Sequence, residues 1–218
     1  TSKLLYRQIK RTKKPIEYFD VQDVEGGSTA AIEKGVELAG KMEADARELK
    51  REPFDFSNLV LGLECGGSDS ISGISANPAV GVVSDKVVEL GGTTILPEFT
   101  EWIGTEHLLK KRAVNEKVAE KIETPIKKFL ENTMEMGIDF RGIQPTPGNI
   151  AGGLSTIEEK SLGNIEKAGT APIQGVLEYS EEPKGKGLYL MIEPGLDVES
   201  MTGLAAAGAH AIIMTTGR

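Results

Sequence analysis

Apolar residues fall into two rhythms along this chain. Short unbroken runs predict buried strands of a parallel sheet, and stretches with an apolar side chain at every third or fourth position predict amphipathic helices. Val60, Leu61 and Leu63 mark a first strand over residues 59–63, and Thr93, Thr94, Ile95 and Leu96 mark a second. Between them Asn77 and Pro78 form a helix-start pair, Val82, Val83, Val87, Val88 and Leu90 supply the helix's apolar positions, and Gly91 and Gly92 close it. Such a strand, helix, strand unit crosses over right-handedly and gives a parallel pair. The same rhythm returns near the end, with strands over 187–192 and 209–214, a loop over 193–197 and a helix over 200–207.

The other segments are helical or irregular. Leu108, Leu109, Ala113, Val118, Ile122, Ile126 and Leu130 keep helical spacing over 105–136, with Pro125 predicting a kink or a break into two helices. Residues 144–153, QPTPGNIAGG, are too rich in proline and glycine for regular structure, and Ser155, three residues ahead of Glu158, predicts a capping box at the start of the next helix. Before residue 57, a helix over 2–12 ends at Pro15, residues 16–21 (IEYFDV) predict a strand, and Ser28 starts a helix running to about Arg51. The fold expected is α/β, a mostly parallel, Rossmann-like open sheet with helices on both faces over 57–218, joined to a helix, strand, helix lobe over 1–56.

Composition narrows the class. A chain of 218 residues buries roughly 70% of the surface its unfolded form exposes, so the fold needs no staple. Its single cysteine cannot form an internal disulfide, and with no signal segment or membrane-spanning apolar run the chain is expected to be cytoplasmic with no membrane partner. A formal net charge of −8 argues against nucleic acid, and the basic run from Lys10 to Lys14 is read as a solvated helix end.

Candidate chemistry gathers at strand ends, where open α/β sheets bind ligands. After the first strand, Glu64, Cys65 and Asp69 stand among Gly66, Gly67 and Gly73; after the second come Pro97, Glu98, Phe99, Thr100, Glu101 and Trp102, whose aromatic residues are read as packing. The helix start near Ser155 suits an anion. No phosphate-binding loop, dinucleotide fingerprint or zinc spacing occurs. His107 at a helix start and His210 before an apolar strand read as structural imidazoles. Cys65, several carboxylates, Asn149, Lys160 and Arg218 remain. The end of the sequence at Thr215, Thr216, Gly217 and Arg218 reads as the middle of a feature, so a fragment is expected.

Three runs, ECGGSDSISGISANPAVG, TPGNIAGGLSTIEEKSLG and the terminal TTGR, resemble the altronate and galactarate dehydratase family, whose relatives include a sulfolactate sulfo-lyase subunit. The resemblance covers nearly the whole chain. It implies a lyase that takes water from a sugar acid to give a 2-keto-3-deoxy acid, with a divalent metal, Fe2+ or Mn2+. The pattern falls on Cys65, Gly66, Gly67, Asp69 and Asn77, on Pro147, Gly148, Asn149, Glu159 and Lys160, on Asp197, and on Thr215 to Arg218, whereas Glu64 and His107 lie outside it. A small N-terminal domain or subunit and further sequence after TTGR are also implied, and a homo-oligomer is compatible with it.

Removing the proton beside a carboxylate builds a second negative charge on that group, which a cation or fixed donors must hold. On this reading Cys65, Asp69 and Asp197 are the expected metal ligands. Lys160, Glu159 and Asn149 are the expected catalytic groups, Lys160 or Glu159 as the base. Gly66, Gly67, Asn77, Ser155, Thr216 and Arg218 are expected to bind substrate. The loops carrying these residues are expected to share one crevice.

Overall fold

A computed structural model of the protein describes residues 2–193 and 195–217. By its internal packing the chain divides into two units, Thr1–Pro53 and Phe54–Arg218. In the first, helix α1 (Ser2–Lys10) and helix α2 (Gly27–Arg47) flank an irregular segment that ends in a 3-10 turn at Val21–Asp23. The strand expected over 16–21 is not formed. A lone strand leaves its backbone groups without a ladder partner, and here the aromatic side chains are held by helices instead. The Tyr18 ring stacks at 5.6 Å from Tyr6, and Lys34 sits 5.0 Å above the Phe19 ring.

The second unit is built on five strands, with intervening helices, in the chain order β1 (Val60–Cys65), α3 (Ala76–Glu89), β2 (Thr93–Leu96), α4 (Glu106–Lys111), α5 (Glu116–Glu135), α6 (Phe140–Ile143), α7 (Pro147–Ala151), α8 (Ile157–Ile165), β3 (Ile173–Leu177), β4 (Gly187–Met191), α9 (Asp197–Ala206) and β5 (Ala211–Thr215). The strands form one sheet in the order β3-β4-β2-β1-β5, every pair parallel. The expected parallel α/β sheet is therefore present, with one strand more than the apolar runs announced. Gly175 interrupts β3, and the ladder to β4 is irregular between Ile173 and Gly175, so its pattern never reads as an apolar run.

Successive strand residues alternate between the two faces. Leu61, Leu63, Leu96, Leu188 and Leu190 pack with α3, α5 and α8, while Ile95, Leu177, Tyr189 and Met191 pack with Leu204 of α9. Helices thus cover both faces. Close approach is specified by glycine at several points, Gly62 and Gly81 among them. A Cβ on Gly62 would lie 2.8 Å from Leu204 Cδ1, and one on Gly81 would lie 2.2 Å from the Glu166 carbonyl. Among the described residues no helix is long and apolar enough to cross a membrane.

Several boundaries differ from the sequence reading, and Pro147–Ala151, within the stretch expected to be irregular, forms α7, which Thr146 caps by accepting the Asn149 N–H at 3.3 Å. Strand β1 continues two residues further than expected, because Glu64 and Cys65 pair in register with Met214 and Thr215. The break in the long helical stretch falls at 112–115, where the Asn115 side chain accepts the Val118 N–H at 3.0 Å, and α5 runs through Pro125. Helix α8 begins one residue later than expected. Thr156 is its N-cap, accepting the Glu159 N–H at 3.1 Å, and this start turns Ile157, Ser161, Asn164 and Ile165 inward.

The contact at Gly81 is open to a direct test. Gly81→Ala drives a methyl group into the turn after α8 and should lower unfolding stability by about 1–3 kcal/mol. Gly148→Ala, whose nearest neighbour would be 3.8 Å away, serves as the control. Urea midpoints that move equally for both would show that α3 and this turn are not so tightly apposed.

Candidate functional site

All five strands point the same way, so their carboxyl ends form one edge, and the three sequence motifs meet there. The β1 to β5 ladder continues past the strands. Gly66 N–H donates to Thr215 O at 2.7 Å, Gly67 N–H to Thr216 Oγ1 at 3.2 Å, and Gly217 N–H to Gly67 O at 2.8 Å. Gly66 and Gly67, expected to bind substrate, thus spend these backbone donors on the chain's last strand. Asn77 lies in the first turn of α3 and caps nothing. It is 3% exposed, its Nδ2 donates to Gly163 O at 2.8 Å, and its Oδ1 accepts from Thr215 Oγ1 at 2.6 Å. One side chain therefore ties the first, second and last motifs together. Asn149 does the same for the loop, donating from Nδ2 to Ser68 O at 2.9 Å and accepting the Thr146 N–H and hydroxyl at 3.0 and 2.8 Å.

Beneath this bracing lies a cluster of buried ionisable side chains. Glu64 from β1, Glu98 and Glu101 from the segment after β2, and Glu193 after β4 are all 8% exposed or less, and Lys167, in the turn after α8, is fully buried. Burial pushes the Glu64 carboxyl up to about 8, and the neighbouring Glu193 charge adds to it. Burial and the Glu101 charge hold Glu98 well above the usual carboxylate range, and burial raises Glu193 as well. The Cys65 thiol is pushed up to about 12 by burial and by Glu101. Both oxygens of Glu64, Oε2 of Glu101, Oε1 of Glu193 and Nζ of Lys167 have no hydrogen-bond partner among the described residues.

Within the cluster, ligand atoms of Cys65, Glu98 and Glu101 lie within 4.8 Å of one another, and they are the only such trio of His, Cys, Asp or Glu among the described residues. Glu98 Oε2 accepts the Cys65 N–H at 3.0 Å, and Cys65 Sγ lies 3.0 Å from Ser68 Oγ. Glu98 adopts φ 67° and ψ 60°, a left-handed conformation that costs a non-glycine residue about 1–3 kcal/mol. The strain turns its carboxylate back toward β1. One thiol and two carboxylates, Glu101 with Oε2 lacking a hydrogen-bond partner among the described residues, suit a divalent ion of intermediate softness such as Fe2+ or Mn2+, so the residues present fit such an ion.

A crevice of about 480 Å³ opens beside the cluster, lined among others by Asp69, Ser72, Asn77, Glu159 and Lys160. Lys160 Nζ pairs with Glu101 Oε1 at 3.0 Å, both side chains nearly buried, and donates to Gln144 Oε1 at 3.2 Å. Lys160 thus links the crevice to the trio. Glu159 is occupied otherwise. It accepts the Ser155 N–H and hydroxyl at 2.7 and 2.5 Å, and these bonds hold its carboxyl below the usual range, the reverse of what a base near neutrality needs. Asp69 Oδ1 accepts the Ser72 N–H at 2.6 Å in a local turn, and Asp197 is the exposed first residue of α9. Neither belongs to the trio. Arg218 lies outside the described residues. His107 is exposed on α4, and His210 Nδ1 accepts the Val60 N–H at 3.1 Å as a structural imidazole.

Glu98 and Glu101 were read from the sequence only as part of the acidic and aromatic stretch after the second strand, Glu193 and Lys167 were not singled out, and Glu64 stood as one of the carboxylates beside Cys65. A signal for the first three existed: each is an acid one to five residues past an apolar run of a parallel sheet, where the backbone is enclosed on both sides. Lys167 had none, because EKAG at a helix end reads as solvated.

Comparison with known proteins bears on these motifs. The family model described as D-galactarate/altronate dehydratase, C-terminal, matches residues 56–218. Altronate dehydratase of Bacillus subtilis is 42% identical over 205 residues, which are 94% of this chain and 40% of that protein. The (2R)-sulfolactate sulfo-lyase subunit beta of Chromohalobacter salexigens is 39% identical over 96% of this chain and 54% of its own length. Galactarate dehydratase (L-threo-forming) of Escherichia coli is 38% identical over 88% of this chain and 36% of its own. The chain thus spans about half or less of the length of these relatives. With the family model covering the whole sheet and each motif at its edge, the chain belongs to the D-galactarate/altronate dehydratase family.

Proposed function

We propose that the working protein is a lyase that removes water from a polyhydroxylated sugar acid, and that this chain supplies a divalent-cation centre and the polar crevice beside it. The observation that carries the reading is the trio Cys65, Glu98 and Glu101, with donor atoms within 4.8 Å at the meeting point of the three motifs. Those residues would hold the ion. A bound Fe2+ or Mn2+ would supply positive charge beside the substrate carboxylate and its leaving group. Lys160 holds an ammonium at the crevice wall through Glu101 and Gln144, in position to bind the substrate carboxylate or to pass its Nζ proton to the departing hydroxyl oxygen. Asn149 and Asn77 act on the reaction by fixing the loops, since their side-chain groups are already bonded within the protein.

The match to the sulfo-lyase subunit over 96% of this chain favours a second substrate within the same reading, a sulfolactate whose sulfite takes the place of the leaving hydroxyl. In either case further polypeptide belongs to the working enzyme, because the relatives are about twice as long or more.

Two experiments test this. In the full-length protein, Glu98→Gln and Glu101→Gln should each weaken Mn2+ binding by about tenfold or more, measured by calorimetry, while Asp69→Asn and Asp197→Asn leave it within about threefold. Loss of metal with Asp69→Asn and retention with Glu98→Gln would move the centre to Asp69. The Fe2+- or Mn2+-loaded full-length protein, assayed against altronate, galactarate, other aldonates and aldarates, and (2R)-sulfolactate, should release a 2-keto acid from at least one. No turnover across the panel with metal bound would leave a non-catalytic subunit as the better reading.

A further inference from the structure

Lys167 is a lysine with no exposure and no hydrogen-bond partner for its ammonium among the described residues. It sits in the 3-10 turn Glu166–Ala168, which packs on α3 and β2, directly after Glu166 of the crevice wall. The turn is locked. Asp85 of α3 accepts the Thr170 N–H at 2.7 Å and the Ala171 N–H at 2.9 Å, and Gly81 admits the Glu166 carbonyl. Its charge acts on Glu64, Cys65 and Glu98, each of which it pulls toward the ionised form, and those groups share the buried cluster with Glu101 and Glu193, with Lys160 already committed to Glu101. A buried ammonium that bonds to no side chain acts on its surroundings through its charge, and at low effective dielectric that action is large.

We infer that Lys167 is a positioning residue, an internal counter-charge that limits how strongly the buried acidic cluster attracts a divalent cation. The inference rests on the metal-centre reading above and deepens it. Four glutamates within one buried cluster, opposed by a single paired lysine, would bind a cation tightly and hold an anionic substrate poorly. The second positive charge, fully buried, offsets this from within the protein. It keeps the edge of the sheet weakly enough negative for an anion to approach. Lys167 touches neither the crevice nor the ion in this assignment.

Calorimetric titration of the full-length protein with Mn2+ separates the possibilities. Lys167→Met keeps the aliphatic stem and removes the charge, and it should bind Mn2+ about tenfold more tightly than the unaltered protein. Glu64→Gln removes a carboxyl that can ionise when a cation binds and should weaken binding, while the double variant should return to within about threefold of the starting affinity. Unchanged or weaker Mn2+ binding in Lys167→Met overturns the inference and leaves the metal centre standing. No Mn2+ uptake by the unaltered protein overturns the metal-centre reading and the inference together. Should Lys167→Met alone fail to fold, the double variant decides: an affinity equal to that of Glu64→Gln shows that the lysine's charge does not act on the ion.

Discussion

Strand β1 is hydrogen-bonded on both sides in parallel, to β2 and to β5, and the arrangement at the carboxyl edge depends on that pairing. Parallel register puts the ends of β1, β2 and β4 side by side, so acids that are 34 or more residues apart in sequence arrive in one buried volume. The pairing of Cys65 with Thr215 then carries the last residues of the chain over the first loop. An antiparallel partner on either side would send one of these loops to the opposite edge.

That concentration of carboxyl groups is unfavourable in itself. Burying a carboxylate without a partner disfavours its charged form, and the raised positions of Glu64, Glu98 and Glu193 express that penalty. The strained backbone at Glu98 and the Lys167 Nζ, without a hydrogen-bond partner among the described residues, add to it. The rest of the unit compensates with two apolar layers and with side-chain braces such as Asn77 and Asn149 that leave little freedom in the loops. Departures from local stability gathered at one edge are the usual mark of a working site.

Much of this was legible in the residues. Four of the five strands announced themselves as apolar runs, because a strand covered by helices on both faces has no polar side to show. Strand β3 did not, since its edge position and Gly175 break the pattern. The motifs located the site, yet several residues in them proved to be braces: Asn77, Asn149, Gly66 and Gly67 bond within the protein. Sequence spacing could not tell a brace from a ligand, because both need the same residue at the same loop. The buried cluster was harder still. Glu98, Glu101 and Glu193 look like ordinary acidic loop residues until the strands are laid side by side, and the expected strand at 16–21 failed for the converse reason, that nothing stood beside it.

The bond between Thr215 and Asn77 joins residues 138 positions apart, and that between Gly67 and Thr216 joins residues 149 apart. Synthesis proceeds from the amino end, so the glycine loop, α3 and most of the sheet leave the ribosome well before the strand that closes over them. Contacts of such long sequence separation also form slowly in refolding. Until β5 docks, β1 has one open edge and the acids behind it remain in reach of water. Closure of this edge thus waits for β5, the latest of the described strands to be synthesised.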